Sequence, residues 1–288
     1  MPALSRQARD FVLTLSCPDT TGIVHAVSAY LHAQGCNIVD SAQYGDPGTK
    51  QFFMRVHFDA IRPRTTLALL RERFGAVAAK FSMKWQMHDM GERPGVLIMV
   101  SKFDHCLHDL LYRHRNGELK CRITSVVSNH MDAYQLAASY GIAFHYLPAT
   151  KDAKHERKLL EIIREENAEL VVLARYMQIL SGKLCRALSG RIINIHHSFL
   201  PSFKGAKPYH QAHARGVKLI GASAHFVTDD LDEGPIIEQD TERVDHKFTA
   251  EEMVEAGRDV ERLVLARAVR FYVERRVLLN GHKTVVFR

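Results

Sequence analysis

Apolar and polar positions in the first part of the chain follow the patterns of strands and of amphipathic helices. Residues 10–17, "DFVLTLSC", are rich in β-branched and aromatic side chains and predict a strand. Amphipathic stretches at residues 23–35 and 65–81 predict two helices, the first closing on Gly35, a typical residue after a helix. Further strands are predicted at residues 36–45, 50–58 and 82–89. The order βαββαβ predicts an α+β, ferredoxin-like domain whose sheet leaves one face for a second sheet or a partner subunit.

From residue 96 the pattern changes to near-continuous apolar strands that alternate with amphipathic helices. The predicted strands are "VLIMVS", "LKCRITSVVS", "IAFHYLP", "AELVVLA" and "RIINIH". Strands that are apolar on both sides are typical of a parallel sheet covered by helices. We therefore expect an α/β doubly wound, mostly parallel, Rossmann-like sheet. The polar stretch "GERPG" divides a first domain, residues 1–90, from a second domain, residues 96–288, with residues 91–95 as the linker.

The last part of the chain adds two strands, a long helix and a short strand to the second domain. "KLIGASAHFV" and "GPIIEQDTERV" are predicted strands that flank the acidic loop "TDDLDEG". Thr249 and Glu252 have the spacing of a capping box, which predicts the start of a helix that runs toward Leu279. "KTVVFR" is expected to form the closing strand.

Composition and charge fit a globular protein in a reducing compartment. The 288 residues are 46% hydrophobic and 25% charged, with no apolar run of membrane-spanning length and no signal-peptide pattern. The five cysteines are scattered without a CxxC pair, so neither a disulfide framework nor a zinc knuckle is predicted. The net charge of +7 suits nucleic acid or a polyanionic small molecule and is spread along the chain. We expect no nucleic acid and no membrane as partner, and a cytoplasmic location.

One predicted strand, "RIINIH", ends in polar residues where a buried strand would be expected to stay apolar. Asn194 and His196 are two positions apart, so a regular strand points them to the same side. The carboxyl ends of parallel strands border the ligand crevice of such sheets, and Asp232 lies in the acidic loop expected over that crevice. An amide and an imidazolium can stabilise a tetrahedral oxyanion, while a carboxylate orients the imidazole or accepts a proton. The three residue types together suit acyl transfer.

Other interpretations of these residues stay open on spacing alone. An asparagine at a strand end is usually a turn former, and an acidic loop is usually solvated. Ser198 lacks the GxSxG context of a serine nucleophile. Five histidines recur in this part of the chain, but no HExxH motif and no cysteine accompany them, so no metal site is predicted. These histidines are His196, His197, His210, His213 and His225.

Three segments of the second domain, "LARYMQILS", "INIHHSFLP" and "SAHFVTDDLDEGPII", resemble the signature segments of the formyltetrahydrofolate-dependent formyltransferase family. This resemblance implies that Asn194, His196 and Asp232 are the catalytic amide, imidazole and carboxylate. It also implies a pocket that binds the pterin ring of the substrate partly through backbone groups. The pocket residues implied are Met177, Gln178, Ile179, Leu180, Asp229 and Asp230.

Two segments of the first domain, "CPDTTGIV" and "CNIVD", resemble an ACT domain, a regulatory module that often binds amino acids between paired subunits. The resemblance implies that Asp19, Gly22 and Asn37 contact an amino-acid effector. Glycine and methionine are the expected effectors, because both are endpoints of one-carbon metabolism. A homo-oligomer formed through the ACT-like domains is also expected.

One loop departs from the family pattern and changes the expected reaction. Glycinamide ribonucleotide formyltransferases carry a Gly- and Ser-rich loop after their first strand, whose N–H groups hold the phosphate of the acceptor. The equivalent residues 100–111 contain no glycine, and Asp104 would repel a phosphate, although Lys102 partly offsets this repulsion. Water is therefore the expected acceptor. The expected reaction is hydrolysis of 10-formyltetrahydrofolate to formate and tetrahydrofolate, supplying formate to purine synthesis without a cofactor.

Two other functions remain open at this level. A formyltransferase with glycinamide ribonucleotide or methionyl-tRNA as acceptor would account for the positive charge, although the tRNA enzymes carry an additional C-terminal domain. A non-catalytic folate or amino-acid sensor would use the ACT-like domain for readout, but the three candidate catalytic residues argue against it. The loop from Lys204 to His210 is expected beside the site, where Lys204, Lys207 or Tyr209 can close over the substrate without a catalytic role.

Overall fold

The chain divides into two compact units. The computed structural model describes residues 9–61, 65–148, 154–201 and 208–288. The first unit comprises Met1–Arg93, Glu274–Asn280 and Val285–Arg288, and the second comprises Pro94–Val273 and Gly281–Thr284. The second domain was expected to continue to residue 288, whereas most of the last fifteen residues group with the first unit.

The first unit contains a four-stranded antiparallel sheet and two helices. Its elements are β1 (Arg9–Pro18), α1 (Ile23–Ala33), β2 (Cys36–Asp46), β3 (Gln51–Ala60), α2 (Leu67–Lys80) and β4 (Lys84–Asp89). The strand order in the sheet is β2-β3-β1-β4, and all neighbouring strands are antiparallel. This confirms the predicted ferredoxin-like arrangement.

One face of this sheet forms the core of the first unit. Alternate residues of β3, including Met54 and Phe58, join the buried apolar cluster that also contains residues of both helices. The rings of Tyr30 and Phe74 pack edge to face with centroids 5.1 Å apart, and the Tyr30 hydroxyl donates to the Leu70 carbonyl at 2.7 Å. The inward-facing side chains of β3, which recur at every second position, therefore pack with the apolar faces of α1 and α2 in one core.

The second unit contains a seven-stranded sheet with helices between its strands. Its elements are β5 (Gly95–Val100), α3 (His105–Arg115), β6 (Arg122–Ser128), α4 (Tyr134–Ser139), β7 (Ala143–Tyr146), α5 (Lys154–Glu165), β8 (Leu170–Leu173), α6 (Gly182–Ala187), β9 (Ile192–His196), α7 (Pro208–Ala214), β10 (Leu219–Phe226), β11 (Ile236–Arg243) and α8 (Ala250–Val273). The strand order is β11-β10-β9-β8-β5-β6-β7. Strands β5 to β9 pair in parallel, while β10 and β11 are antiparallel to their neighbours. The prediction of a doubly wound, mostly parallel sheet is confirmed.

The order of the strands locates the ligand crevice. The chain adds β6 and β7 on one side of β5 and then β8 and β9 on the other side. Where the order of a doubly wound sheet reverses in this way, the loops beyond the carboxyl ends of the strands separate and leave a crevice. The residues that follow β5, β8 and β9 therefore line the expected site.

The long helix α8 begins where predicted but ends earlier. The Thr249 amide donates to the Glu252 carboxylate at 2.7 Å and the Glu252 amide donates to Thr249 Oγ1 at 3.1 Å, which is a reciprocal capping box. The prediction that the helix runs toward Leu279 was wrong, because the chain leaves the helix after Val273. Arg275 has a φ of 58°, a left-handed conformation that ends a helix. Two short strands follow and pair with each other, β12 (Val277–Asn280) and β13 (Lys283–Val286).

Residues from the C-terminus cover the outer face of the first sheet. Phe53 on β3 packs in one buried cluster with Val285 and Phe287. The buried Arg55, two residues further along β3, donates from Nη2 and Nε to the carbonyls of Glu274 and Arg275 at 3.1 and 3.2 Å. The second sheet that covers this face is therefore supplied by the chain itself. None of the described helices is long and apolar enough to cross a bilayer.

Candidate functional site

The end of β9 and the loop after β10 bring the three predicted catalytic residues together. Asn194 and His196 lie on the same side of β9, and the antiparallel pairing with β10 places His225 opposite Asn194. Asp232 occupies the acidic loop with a φ of 58°, a left-handed conformation that is uncommon outside glycine. His196 is only 5% exposed, and its Nδ1 lies 3.2 Å from Asp232 Oδ2.

His225 orients the side chain of Asn194. Nδ1 of His225 lies 2.8 Å from the Phe226 carbonyl, which only accepts hydrogen bonds, so Nδ1 carries the proton in the neutral ring. Nε2 is then an acceptor, and it receives a hydrogen bond of 3.2 Å from Asn194 Nδ2. The same Nε2 lies 3.6 Å from Asp232 Oδ1. The second N–H of the Asn194 amide has no partner among the described residues and is available to a ligand.

The electrostatics of the site keep Asp232 ionised. The hydrogen bond from His196 holds the pKa of Asp232 far below its usual range, although partial burial opposes it. The imidazole of His196 is thereby fixed through Nδ1. Its Nε2 is buried and has no hydrogen-bond partner among the described residues. The ring nitrogen left for a reacting group is therefore Nε2.

His197 lies beside this group and is neutral near pH 7. Its ring centroid is 5.4 Å from that of His196. Burial, and after it the positive charge of Arg175, lower the pKa of His197 to about 4. The site therefore holds, beside His196, a second imidazole that is uncharged near neutral pH.

A cavity of about 240 Å³ opens onto Asn194, His196 and Asp232. The residues predicted to hold the pterin ring line the same cavity, namely Met177, Gln178, Ile179, Leu180, Asp229 and Asp230. Met177 and Ile179 are 50% and 76% exposed although they are large and apolar, which is typical of a surface that a ligand covers. Asp229 is turned toward Arg186, with which it forms an ion pair.

The segment from Met177 to Leu180 is anchored at both ends. Before it, the Met177 amide donates to Ser101 Oγ at 3.0 Å, and Ser101 Oγ donates to Asn129 Oδ1 at 2.8 Å. After it, the Ser181 amide donates to Glu156 Oε1 at 2.6 Å, and the Ser181 hydroxyl donates to the other carboxylate oxygen. Glu156 is buried, so these bonds are shielded from water. The apolar segment is therefore a fixed wall of the cavity.

Sequence reasoning missed three contributors to this part of the molecule. His225 was considered only as a metal ligand, and its contact with Asn194 depends on the register between β9 and β10, which the local pattern does not contain. Arg175 and Glu261 were not singled out. They meet as a buried ion pair at 3.5 Å, and Arg175 lines the cavity. An arginine inside the recognised segment "LARYMQILS" was the available signal.

One group of side chains has metal-ligand atoms in proximity among residues 9–61, 65–148, 154–201 and 208–288. Ligand atoms of His105, Cys106 and Glu261 lie within 4.8 Å of one another. Both oxygens of Glu261 already accept hydrogen bonds, from His105 and Tyr209 at 2.8 Å each. Burial raises the pKa of the Cys106 thiol well above its usual value, and the cationic Arg175 is adjacent. These features disfavour a bound cation here.

Two predictions concerned the loop from Lys204 to His210. Lys204 and Lys207 lie outside the described residues. Tyr209 is buried and donates its hydroxyl to Glu261, which does not fit the prediction that it closes over the substrate. Burial, and then the negative charge of Glu261, raise the pKa of the Tyr209 phenol well above its usual value.

The predicted effector contacts lie at opposite ends of the first sheet. Asp19 follows β1, and its amide donates to the Lys50 carbonyl next to the start of β3. Gly22, with a φ of 89°, precedes α1 on the same side. Asn37 pairs with Asp59 near the other end of β3, roughly 30 Å away along a ten-residue strand. A single chain therefore does not bring Asn37 to the Asp19–Gly22 turn.

Comparison with known proteins agrees with this fold and site. Residues 95–269 match the sequence profile of the formyl transferase family, and residues 11–75 match that of the ACT domain. The fold and site thus define a formyl transferase catalytic unit joined to an ACT domain. Formyltetrahydrofolate deformylase of Corynebacterium sp. (strain P-1) is 52% identical over 287 residues, covering 99% of this chain and 100% of the relative. The chain belongs to the formyltetrahydrofolate deformylase family.

Solved structures place the chain in the same family. The crystal structure of formyltetrahydrofolate deformylase from Burkholderia mallei is 54% identical, covers 97% of this chain and 100% of that chain, and has a TM-score of 0.93. Glycinamide ribonucleotide transformylase 1 from Symbiobacterium toebii is 31% identical, with a TM-score of 0.64 over 68% of this chain and 95% of that one. The deformylase likeness extends over both units, whereas the transformylase likeness covers about two thirds of the chain.

Proposed function

We propose that this chain hydrolyses 10-formyltetrahydrofolate to formate and tetrahydrofolate. The observation that carries the proposal is the arrangement of Asn194, His196 and Asp232 beside one cavity, with His196 Nε2 left without a partner among the described residues. Membership in the deformylase family agrees with this activity. The pterin ring lies against the anchored wall of residues 177–180, and the formyl group faces Asn194 and His196.

The proposed chemistry is assisted addition of water to the formyl carbon. Water adds as its proton passes to His196 Nε2, and the imidazolium that forms is stabilised by Asp232 at Nδ1. The tetrahedral oxyanion is held by the free N–H of the Asn194 amide and by the imidazolium. Collapse breaks the bond between the formyl carbon and N10, and His196 returns its proton to N10. General acid–base assistance of this kind contributes roughly 10²–10⁴-fold.

Features of the loop after β5 support water as the acceptor. Ser101 is engaged with Met177 and Asn129, and the Asp104 carboxylate lies 3.5 Å from His108 at the start of α3. The loop offers a negative charge and no glycine where a phosphate of an amine acceptor would need N–H donors. An amine acceptor therefore lacks the anchor that this position provides in the transferases.

The first test supplies purified chain with 10-formyltetrahydrofolate and no amine acceptor, and follows formate and tetrahydrofolate together. Equimolar release of both is the expected result. Release that begins only when glycinamide ribonucleotide or methionyl-tRNA is added would show a transferase instead.

Replacement of Asn194 tests the oxyanion role directly. Asn194→Asp places a carboxylate where the amide donates, so kcat should fall by about 10²–10³-fold while folate binding is retained. Turnover is measured under saturating substrate, and binding is measured by equilibrium dialysis of tetrahydrofolate. Unchanged kcat would remove Asn194 from the mechanism.

We propose that the first unit pairs with a second copy and binds an amino acid, with glycine and methionine as candidate effectors. Strand β2 is an edge of the sheet and exposes Ile38, Val39 and Tyr44, which favours pairing. Because Asn37 and the Asp19–Gly22 turn are far apart in one chain, one effector can contact both only where two copies meet. Titration calorimetry with each amino acid, and sedimentation velocity for the assembly, test the two parts. Absence of heat with both amino acids contradicts the effector proposal.

We further propose that the reaction uses no cofactor or metal and takes place in the cytoplasm. Asn194, His196 and Asp232 supply the donors and the proton carrier that the hydrolysis needs. Activity should therefore be unchanged after treatment with a strong chelator and removal of the chelator by gel filtration. Lost activity restored by one divalent cation would contradict the first part of this proposal.

A further inference from the structure

Beside the catalytic group lies a buried charge cluster made of Glu261, Arg175, His105 and Tyr209. The Glu261 carboxylate is 1% exposed and accepts from His105 Nε2 and from the Tyr209 hydroxyl at 2.8 Å each. Burial alone would raise the pKa of Glu261, but the His105 hydrogen bond and the Arg175 charge bring it below its usual value. The carboxylate is therefore ionised and both of its oxygens are engaged.

Arg175 pairs with this carboxylate by charge but donates no hydrogen bond to it from Nε or Nη1. Its Nε lies 3.5 Å from Glu261, an ion-pair distance, and the side chain is only 10% exposed. Nε and Nη1 are buried and have no hydrogen-bond partner within the described parts of the chain. A guanidinium stays charged at every working pH and carries five N–H donors. Arg175 therefore keeps N–H donors that no described residue uses, in addition to its ion pair with Glu261.

The backbone and an aromatic ring hold Arg175 at the cavity. Arg175 has a φ of 64°, a left-handed conformation that is uncommon for a long side chain, and such outliers concentrate at functional sites. Its guanidinium lies 5.7 Å from the centre of the Phe103 ring, and the guanidinium of Arg258 lies 5.8 Å from the same ring. Arg175 lines the same cavity as Asn194 and His196. The guanidinium therefore belongs to a residue of the cavity in which the chemistry is proposed to take place.

We propose that Arg175 binds the formate product, which is a small carboxylate. It also stabilises the tetrahedral oxyanion that forms before formate is released. The inference rests on the proposed hydrolysis. The formyl group enters as a neutral amide; its C–N bond breaks, a bond from water oxygen to carbon forms, and the acid produced loses its proton to become an anion. A cation at this position binds the oxyanion more strongly than the neutral substrate, and this difference is what accelerates the reaction. The same charge accounts for binding of the formate anion.

The test measures formate binding without turnover, by saturation-transfer NMR of the formate proton with sodium formate as the probe. Wild type should give a saturable signal, which Arg175→Met should lose or weaken by at least tenfold. Arg258→Met is the matched control, because Arg258 is an exposed residue of α8 whose guanidinium lies over the same Phe103 ring. This variant should bind formate as wild type does. Formate binding by a folded Arg175→Met protein equal to wild type overturns the proposal.

Two further arms keep the test decisive. If Arg175→Met does not fold, because Glu261 is left unpaired, the double variant Arg175→Met with Glu261→Gln removes both charges and is measured instead. Binding of p-aminobenzoyl-glutamate distinguishes a site for formate from a site for substrate carboxylates. If Arg175→Met weakens binding of p-aminobenzoyl-glutamate but not binding of formate, the assignment to formate is overturned. Formate binding that depends on Arg175 in a protein that releases no formate would refute the hydrolysis and leave the carboxylate site standing.

Discussion

At the scale of single residues, the site works by leaving selected atoms without internal partners. Asp232 is engaged by His196, and His225 is engaged by the Phe226 carbonyl and by Asn194. Within the part of the chain that the structure describes, one N–H of the Asn194 amide and Nε2 of His196 keep no partner and are left for substrate. Asp232 therefore determines which ring nitrogen of His196 is available to the substrate, and His225 determines which N–H of Asn194 is available.

Two substitutions of His225 separate its two hydrogen bonds. The amide of asparagine reproduces the Nδ1 position, so His225→Asn keeps the hydrogen bond to the Phe226 carbonyl and loses the hydrogen bond from Asn194. The amide of glutamine reproduces the Nε2 position, so His225→Gln can still accept a hydrogen bond from Asn194. We expect His225→Asn to lower kcat by about 10²-fold, since the oxyanion donor loses its orientation, with KM little changed. His225→Gln should retain more activity. Equal kcat values in two folded variants would show that His225 does not act through Asn194.

Acidification is expected to destabilise the protein through His197. Its pKa is lowered to about 4, so between pH 6.5 and 4 the unfolded chain binds a proton that the folded chain does not. The free energy of unfolding should therefore fall as pH drops through that window, by roughly 2–3 kcal/mol for this group. The depressed pKa of Asp232 adds a loss only at lower pH, below the value of an unperturbed aspartate.

Urea unfolding at several pH values between 4.5 and 7.5 measures this effect. His197→Gln should show a shallower dependence of the free energy of unfolding on pH than wild type. His213→Gln, which changes an exposed histidine of the same unit, is the control and should keep the wild-type dependence. Identical slopes for all three proteins would contradict the assignment to His197.

At the scale of elements, the cavity wall formed by residues 177–180 depends on the helix α5, whose residues do not line the cavity. Glu156 on α5 holds Ser181, which is also the N-cap of α6, where its hydroxyl accepts from the Leu184 amide at 3.3 Å. The position of the segment 177–180 is therefore fixed by α5 and α6. Met177 and Ile179 are exposed, whereas Leu180 packs against a buried apolar cluster, so the adjacent backbone and Leu180 keep the exposed side chains in place.

Glu156→Gln tests this support. A glutamine keeps one acceptor for the two donors of Ser181, so a buried hydrogen bond is lost and stability should fall by about 1–3 kcal/mol. The wall becomes less ordered, so KM should rise several-fold while kcat changes less. Glu161→Gln is the matched control on α5, because Glu161 is exposed in its ion pair with Lys158 and such pairs contribute at most about 1 kcal/mol. A rise in KM that is equal in both variants would contradict the role of Glu156.

At the scale of the whole molecule, the first unit is completed by the last residues of the chain. Phe53, Val285 and Phe287 form one buried cluster, and Arg55 is capped by carbonyls of Glu274 and Arg275. The sheet of the first unit therefore has one face covered by its own helices and the other covered in part by the C-terminal segment. Stability of the first unit is coupled to residues that are more than two hundred positions away in sequence.

Phe287→Ala measures the contribution of this cover. Loss of a buried phenylalanine typically costs about 3–5 kcal/mol, so the unfolding midpoint of the variant should fall clearly. Leu279→Ala is the matched control in the same hairpin, since Leu279 is 46% exposed and a surface change of this kind stays within about 0.5 kcal/mol. Guanidinium unfolding followed by the fluorescence of Trp85, which lies in the first unit, gives the measurement. Similar midpoints for Phe287→Ala and wild type would contradict the packing role.

The chain shows which parts of a site local sequence can predict. Asn194 and His196 could be placed on one side of a strand end, because that depends only on the period of two. The contact of Asn194 with His225, and the ion pair of Arg175 with Glu261, depend on register and packing between segments far apart in sequence. The early end of α8 could not be seen for the same reason, because residues after Val273 pack against a sheet formed by the start of the chain.

The cover of the first sheet also sets an order of events during synthesis. Roughly 180 residues separate the end of the first unit at Arg93 from its next segment at Glu274, which at about 5–20 residues per second amounts to about 10–40 s of translation. For that time the nascent unit presents Phe53 and Arg55 uncovered. A chain that ends at a premature stop codon in α8 therefore never covers this face of the first sheet. Cellular quality control should recognise such truncated products by the exposed face of the first unit.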